Sequence, residues 1–156
     1  MTAPRDPRDA AAQSAAVAAQ SAAAMWDADR ASQHLGMRIE EVGPGRAVLS
    51  MTIGETMVNG HGIAHGGYVF TLADSAFAFA CNSHGHHAVA AQCQIAYLKP
   101  GRLGDHLVAT AREVAREGRS GIYDVRVTRG HEVIAEFRGH SRQLAGSWVE
   151  PDRRQP

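Results

Sequence analysis

The sequence predicts an α+β domain in which one antiparallel sheet lays a face against a single long helix, with an extra helix ahead of it. Three observations carry that prediction. A strand hairpin at residues 37–53 precedes the one long, proline-free apolar segment at 65–85; four strand-like runs follow between 88 and 144; and each run is bounded by its own turn signal. With 156 residues and 44% hydrophobic content, the chain can build one core but not two domains.

Residues 1–8 (MTAPRDPR) hold two prolines and mixed charge without apolar periodicity, and read as a mobile tail. Asp9 is placed to cap the alanine-rich segment 9–35, which reads as a helix broken near Asp27 to Asp29. Its shallow stripe of Val17, Met25, Trp26 and Leu35 leaves the N-terminal half to fray or to be covered by a partner chain. Residues 37–42 and 46–53 alternate as half-buried strands about Gly43-Pro44-Gly45. Residues 65–85 form the central helix, stopped at Asn82 to Gly85. Strands at 88–98, 106–117, 121–129 and 132–144 are divided by Lys99-Pro100-Gly101, by Gly118 with Ser120, and by Gly130-His131, which predicts an antiparallel meander. The domain proper is then 36–145, and residues 146–156 (GSWVEPDRRQP) read as a loose tail. A sheet wrapped round one buried helix is the hotdog arrangement.

Composition excludes several functions. Sixteen basic residues balance sixteen acidic ones without a like-charge run, so nucleic acid is a poor partner. The apolar stretch at 68–82 is broken by Thr71, Asp74 and Ser75 and is too short for a bilayer span of ~20 residues. Cys81 and Cys93 sit in apolar surroundings and fit neither a disulfide framework nor a four-ligand zinc site. Polar interruptions in the alanine segment argue against an export signal, so a cytoplasmic home is expected.

Asp74 is the anomaly. It stands mid-helix among apolar residues, with no lysine, arginine or histidine within a turn to pair with it. A solvent-facing or otherwise satisfied aspartate is the bland alternative. Against it stands the run Val58-Asn59-Gly60-His61-Gly62-Ile63-Ala64-His65-Gly66-Gly67, which leads straight into the helix. Its glycines allow close approach, and a helix start presents N–H groups without intrahelical acceptors that can hold an oxyanion. A donor-rich helix start followed by an unpaired carboxylate suggests a carbonyl substrate.

Residues 57–85, MVNGHGIAHGGYVFTLADSAFAFACNSHG, resemble the signature of the phenylacetate-degradation thioesterases, hotdog enzymes that hydrolyse phenylacetyl-CoA and related aromatic acyl-CoA esters. The likeness continues more loosely through AYLKPG and REGRSGIYDV, and covers roughly residues 30–145. It implies that Asp74 is the catalytic carboxylate and that the Gly66 N–H polarises the thioester carbonyl. It further implies that Asn59 positions water or Asp74, and that His65 either orients the loop or bonds near the thioester. Many members carry a cysteine where this chain has Ala64, so that position supplies no nucleophile here. Asp74 can serve as general base or as nucleophile, and a base in an apolar helix fits a raised pKa.

Coenzyme A, as part of the substrate, needs cationic partners, and the chain has fifteen arginines against one lysine. The resemblance places Arg119, with Ser120 and Gly121, at the CoA phosphates; Lys99 and Arg102 flank the other turn. Met57, Tyr68, Phe70 and Phe77 are candidates for an acyl pocket, with simple core as the alternative. The histidines at 84, 86 and 87, and His61 with His65, lie in glycine-bearing loops without a ligand pattern, so neither a metal nor a separate cofactor is assigned. A hotdog hydratase is disfavoured because Phe79 stands where its histidine belongs, and a non-catalytic acyl-CoA binding module has little use for Asp74. Gly66 and Asp74 lie about 12 Å apart along one helix at ~1.5 Å per residue. Both can reach one carbonyl only if Asp74 comes from a second chain. A homodimer with shared sites is therefore expected, and the resemblance suggests pairing into a homotetramer.

Overall fold

The computed structural model describes residues 6–149. Helix α1 begins earlier than the sequence reading placed it: Asp6, not Asp9, is the cap, accepting the Arg8 N–H at 2.9 Å, and Pro7 occupies the first turn, where a missing N–H costs nothing. The expected tail at 1–8 thus gives way to helix from Pro7, while 1–5 lie outside the described residues. Helix α1 (Pro7–Ala28) ends at Asp29, whose side chain caps the short α2 (Arg30–His34) through the Ser32 N–H. The break falls where the aspartates predicted it. Only Ala18, Ser21 and Ala22 of α1 are buried, and its first turns stand clear of the body, as its small side chains dictate.

Strands β1 (Arg38–Gly43), β2 (Arg46–Thr52), β3 (His86–Tyr97), β4 (His106–Glu117), β5 (Ser120–Arg129) and β6 (Glu132–Ser147) make one sheet in the order β1-β2-β4-β5-β6-β3. Every pairing is antiparallel. The order corrects the simple meander: β3 crosses over to the far edge beside β6, and Lys99-Pro100-Gly101 belongs to a connection across the domain, not to a hairpin. Periodicity fixes where strands lie, and it carries no information about which neighbours they choose. The tail also needs correction. β6 runs through Ser147, and the Trp148 indole donates to Asn82 at 2.7 Å, so 146–149 are tied down; 150–156 lie outside the described residues.

Helix α3 (Gly66–Cys81) fills the concave face of the sheet, burying Val69, Leu72, Ala73, Ala76, Phe77 and Ala80. Phe77 is the central anchor, with ring centroids 5.6 Å from Tyr123 and 5.8 Å from Phe137. Gly139 lies under the ring, where any Cβ would fall 2.8 Å from it. Burying such a ring contributes about 2–3 kcal/mol, and it holds the helix at a fixed height over the sheet. This is the hotdog fold.

Candidate active site

Four consecutive N–H groups at the start of α3 have different fates. Ala64 donates to the Gly101 carbonyl at 2.8 Å, and His65 to Met57 at 2.8 Å. Gly67 donates to the His65 ring nitrogen Nδ1 at 2.9 Å. Between them the Gly66 N–H meets no acceptor among the described residues. It sits at the positive end of the helix dipole beside an open groove of about 440 Å³ whose walls include Asn59, Ile63, Val69, Leu98 and Pro100. The backbone thus isolates one donor at the position expected to hold a carbonyl oxygen.

His65 is the helix N-cap, its ring accepting the Gly67 N–H. Because Nδ1 accepts, the neutral ring carries its proton on Nε2, which meets no partner among the described residues. Asn59 shapes its own loop: its side-chain carbonyl accepts from His61 at 2.9 Å and Ile63 at 3.4 Å. That commits the oxygen, and the residue lines the groove that Gly66 borders.

Asp74 is half-buried, two turns down the same helix. Ser75, a conceivable partner, is spent on Ser32 at 2.9 Å. Among the described residues, the one hydrogen bond to the Asp74 carboxylate comes from the Cys93 thiol at 3.8 Å, a weak donor. Burial therefore wins, and pushes the carboxyl above the ordinary aspartate range against the small opposing effect of the thiol. The same burial, joined by the nearby carboxylate, pushes Cys93 up to about 11 and Cys81 up to about 12, so both thiols stay protonated and neither is a nucleophile.

The remaining candidates divide. Phe77 and Met57 are core, 1% and 7% exposed, and do not face the groove. Tyr68 and Phe70 are half-buried, against His65 and Phe137 respectively. Phe79, at the position a hydratase gives to histidine, packs on Trp26. Arg119 lies at the other end of α3, in the exposed turn near Cys81, with Nε and Nη2 donating to the Gln143 carbonyl at 3.2 and 2.9 Å. Ser120 beside it is exposed. Gly121 is buried for a packing reason, since a Cβ there would sit 2.7 Å from the Tyr123 ring. Lys99 is held by Glu132 at 2.8 Å, whereas the Arg102 side chain makes no ion pair among the described residues. His84 is committed to Glu113 and His87 to the Trp148 ring, and no three potential ligands converge among the described residues.

Two contacts escaped the sequence reading. Cys93 was legible only as a small hydrophobe, although its thiol faces Asp74 from the sheet. Tyr97 lay inside the AYLKPG stretch without a role of its own, yet its hydroxyl donates to the Gly66 carbonyl at 2.8 Å. Both contacts bridge β3 and α3, and no local pattern encodes them.

A model of the Thioesterase superfamily matches residues 61–136, which contain the glycine run from His61 onward, all of α3, strands β3 to β5 and the first five residues of β6. The acyl-coenzyme A thioesterase PaaI of Escherichia coli (strain K12) is 44% identical over 129 residues, 82% of this chain and 92% of that one. The chain belongs to the thioesterase superfamily. The solved structure of the E. coli PaaI protein, from the phenylacetic acid degradation operon, superposes with a TM-score of 0.83 at 42% identity, covering 85% of this chain and 97% of that one. A Streptococcus mutans UA159 protein solved bound to acetyl CoA matches with a TM-score of 0.68 at 30% identity, over 71% of this chain and 90% of its own. A thioesterase needs a group to polarise its carbonyl and another to activate or replace water, and Gly66 and Asp74 are chemically suited to those two tasks. Among the described residues, no helix is long and apolar enough to cross a membrane.

Proposed function

We propose that this thioesterase hydrolyses acyl-CoA esters, preferring phenylacetyl-CoA or a hydroxylated relative, to the free acid and CoA. The observation that carries the reading is the single uncommitted Gly66 N–H at the head of a helix that also bears an unpaired, half-buried carboxylate. The thioester carbonyl oxygen accepts from Gly66, which stabilises the negative charge that develops on attack. Asp74 takes a proton from water; the hydroxide adds to the carbonyl carbon; the C–S bond breaks; and the thiolate recovers the proton as CoA thiol. A carboxylate with a raised pKa is a better proton acceptor than an ordinary aspartate, which favours the base over direct attack. Asn59 and His65 hold the loop and cap that define the donor, while Arg119, Ser120, Lys99 and Arg102 are the candidates for the CoA phosphates.

Gly66 and Asp74 stay about 12 Å apart along one helix, so the second member of each pair comes from a neighbouring copy. The unpaired outer edge of β3 supports that arrangement, because twelve residues of strand expose backbone groups and the apolar Val89 and Tyr97 there. Two such copies form a dimer, and two dimers a tetramer. The test is free-thiol release over aromatic, short and long acyl-CoA esters, with sedimentation across a dilution series. Aromatic esters should be cleaved fastest and activity should vanish with the dimer. Cleavage confined to long aliphatic esters overturns the aromatic preference, and a fully active monomer overturns the shared site.

A further inference from the structure

The donor at the head of α3 poses a mechanical problem. Gly66 and Gly67 are consecutive glycines, and glycine rotates about φ and ψ more freely than any other residue. An N–H that stabilises an oxyanion must already point at it, because reorientation during the reaction consumes the stabilisation it gives. Something outside the pair has to hold it.

The peptide joining Gly66 to Gly67 is held at both ends. Its N–H donates to His65 Nδ1 at 2.9 Å, and its carbonyl oxygen, that of Gly66, accepts the Tyr97 hydroxyl at 2.8 Å. The preceding peptide is held at one end, where the His65 carbonyl accepts from Tyr68 at 3.0 Å, and its other end is the free Gly66 N–H. His65 is local to the helix start, whereas Tyr97 reaches it across 31 residues of sequence from the end of β3.

Tyr97 itself has little freedom. It pairs with Ala135 of β6 at the last register position of β3. The next two residues donate to the Ile134 carbonyl, Leu98 at 2.8 Å and Lys99 at 3.2 Å. Beyond them, Arg129 binds Asp105 and Glu132, and Gly101 holds Ala64. The ring lies directly over Gly66, since a Cβ built there would come 2.9 Å from Tyr97 Cζ and 3.0 Å from its hydroxyl. Half of the ring remains exposed on the groove side. Burial pushes the phenol above its ordinary pKa, so it remains a donor at every working pH.

We infer that Tyr97 is a positioning residue for thioester hydrolysis: its hydroxyl locks the Gly66–Gly67 peptide and thereby aims the Gly66 N–H at the substrate carbonyl. The inference rests on the hydrolase reading above, but one of its measurements does not depend on turnover. It also predicts what a side chain at position 66 would do. A methyl there would displace the phenol and release the peptide it holds.

Tyr97→Phe keeps the ring and removes only the hydroxyl. Turnover is measured on whichever ester of the panel the wild type cleaves fastest, so failure of the aromatic preference leaves this test intact. The expected result is a fall in kcat of about 10-fold, less than the 10²–10³ that follows deletion of an oxyanion donor. KM should stay within about 2-fold, and the melting temperature should not move. Amide hydrogen exchange should speed up about 10-fold at Gly67, with the sheet unaffected, because the released peptide opens locally. In the Gly66→Ala background, where the phenol is already displaced, adding Tyr97→Phe should cost less than about 2-fold. Unchanged exchange at Gly67 overturns the inference whether or not the enzyme turns over. So does a KM rise with kcat retained, which makes Tyr97 a groove wall only, or a lowered melting temperature with kcat intact, which makes it a packing residue.

Discussion

Two carboxylates, one on helix α3 and one beside it, meet different conditions. Glu113 of β4, near the C-terminal end of the helix, accepts the Tyr123 hydroxyl at 2.7 Å and meets His84 Nε2 at 2.6 Å, with Arg116 at 3.6 Å. Burial alone would raise its pKa, but these partners outweigh burial and hold it below the ordinary glutamate range. Asp74, mid-helix, has only a distant thiol among the described residues, and burial moves its pKa up. The first carboxylate is a structural tie whose charge is wanted in the folded state. The second is a charge the fold tolerates at a cost, and such a group is retained when its reactivity is of use.

Replacing Asp74 should sharpen the contrast most. Asp74→Asn keeps the shape, removes the proton acceptor and should lower kcat by ~10²-fold or more. The same variant should melt at the same temperature as the parent or above it, since an uncompensated buried charge is gone. Retained turnover would return Asp74 to an ordinary satisfied aspartate; a loss of stability would show that its charge is paired by a group not yet identified.

Acid titration should separate the two carboxylates next. Asp74 must be ionised to act as base, so kcat should fall as pH drops through a value above the ordinary aspartate pKa of ~3.9. In stability the sign is opposite for the two groups. The raised pKa of Asp74 favours the folded state in acid and loses that benefit as pH rises through it. The depressed pKa of Glu113 stabilises above the unfolded value of ~4.3, and that stability is lost as pH falls through the folded value. Activity should thus decline at a pH where the melting temperature still holds. If the two fall together, acid unfolding and not titration of Asp74 sets the limit.

The smallest effect on turnover should come from Glu113→Gln, with kcat within about 2-fold of the parent. It weakens charge-assisted bonds to Tyr123 and His84 and should cost about 1–3 kcal/mol of stability, measured by denaturant titration. A large loss of kcat in a folded Glu113→Gln protein would erase the distinction between the two ends of the helix.

The sequence disclosed the candidate site better than the Glu113 tie, for a physical reason. Asp74 and the glycine run violate the local pattern of an apolar helix, so they stand out without any knowledge of what surrounds them. Glu113, His84 and Tyr123 come from three separate elements and look like ordinary surface residues until the sheet assembles. The same limit hid Tyr97 and Cys93, and it let Phe77 pass as a pocket residue, because an apolar stripe reads alike whether it faces a ligand or a core. Strand positions were legible to within about three residues from alternation and turn chemistry. The placement of β3 at the sheet edge was not, since strand order is a property of tertiary packing.

The closing segment of β6 bears on how the protein can be cut. The superfamily match ends at residue 136, five residues into the strand that joins β5 to β3. Beyond that point the Ser147 hydroxyl donates to Gly85 at 2.8 Å, Trp148 N–H to Gly85 at 2.9 Å, and the Trp148 indole to Asn82, the residue that terminates α3. A fragment ending at residue 136 would leave β3 without its partner at eight of its ten register positions and α3 without its clasp. Residues beyond the superfamily match are therefore needed for the helix to be held at both ends.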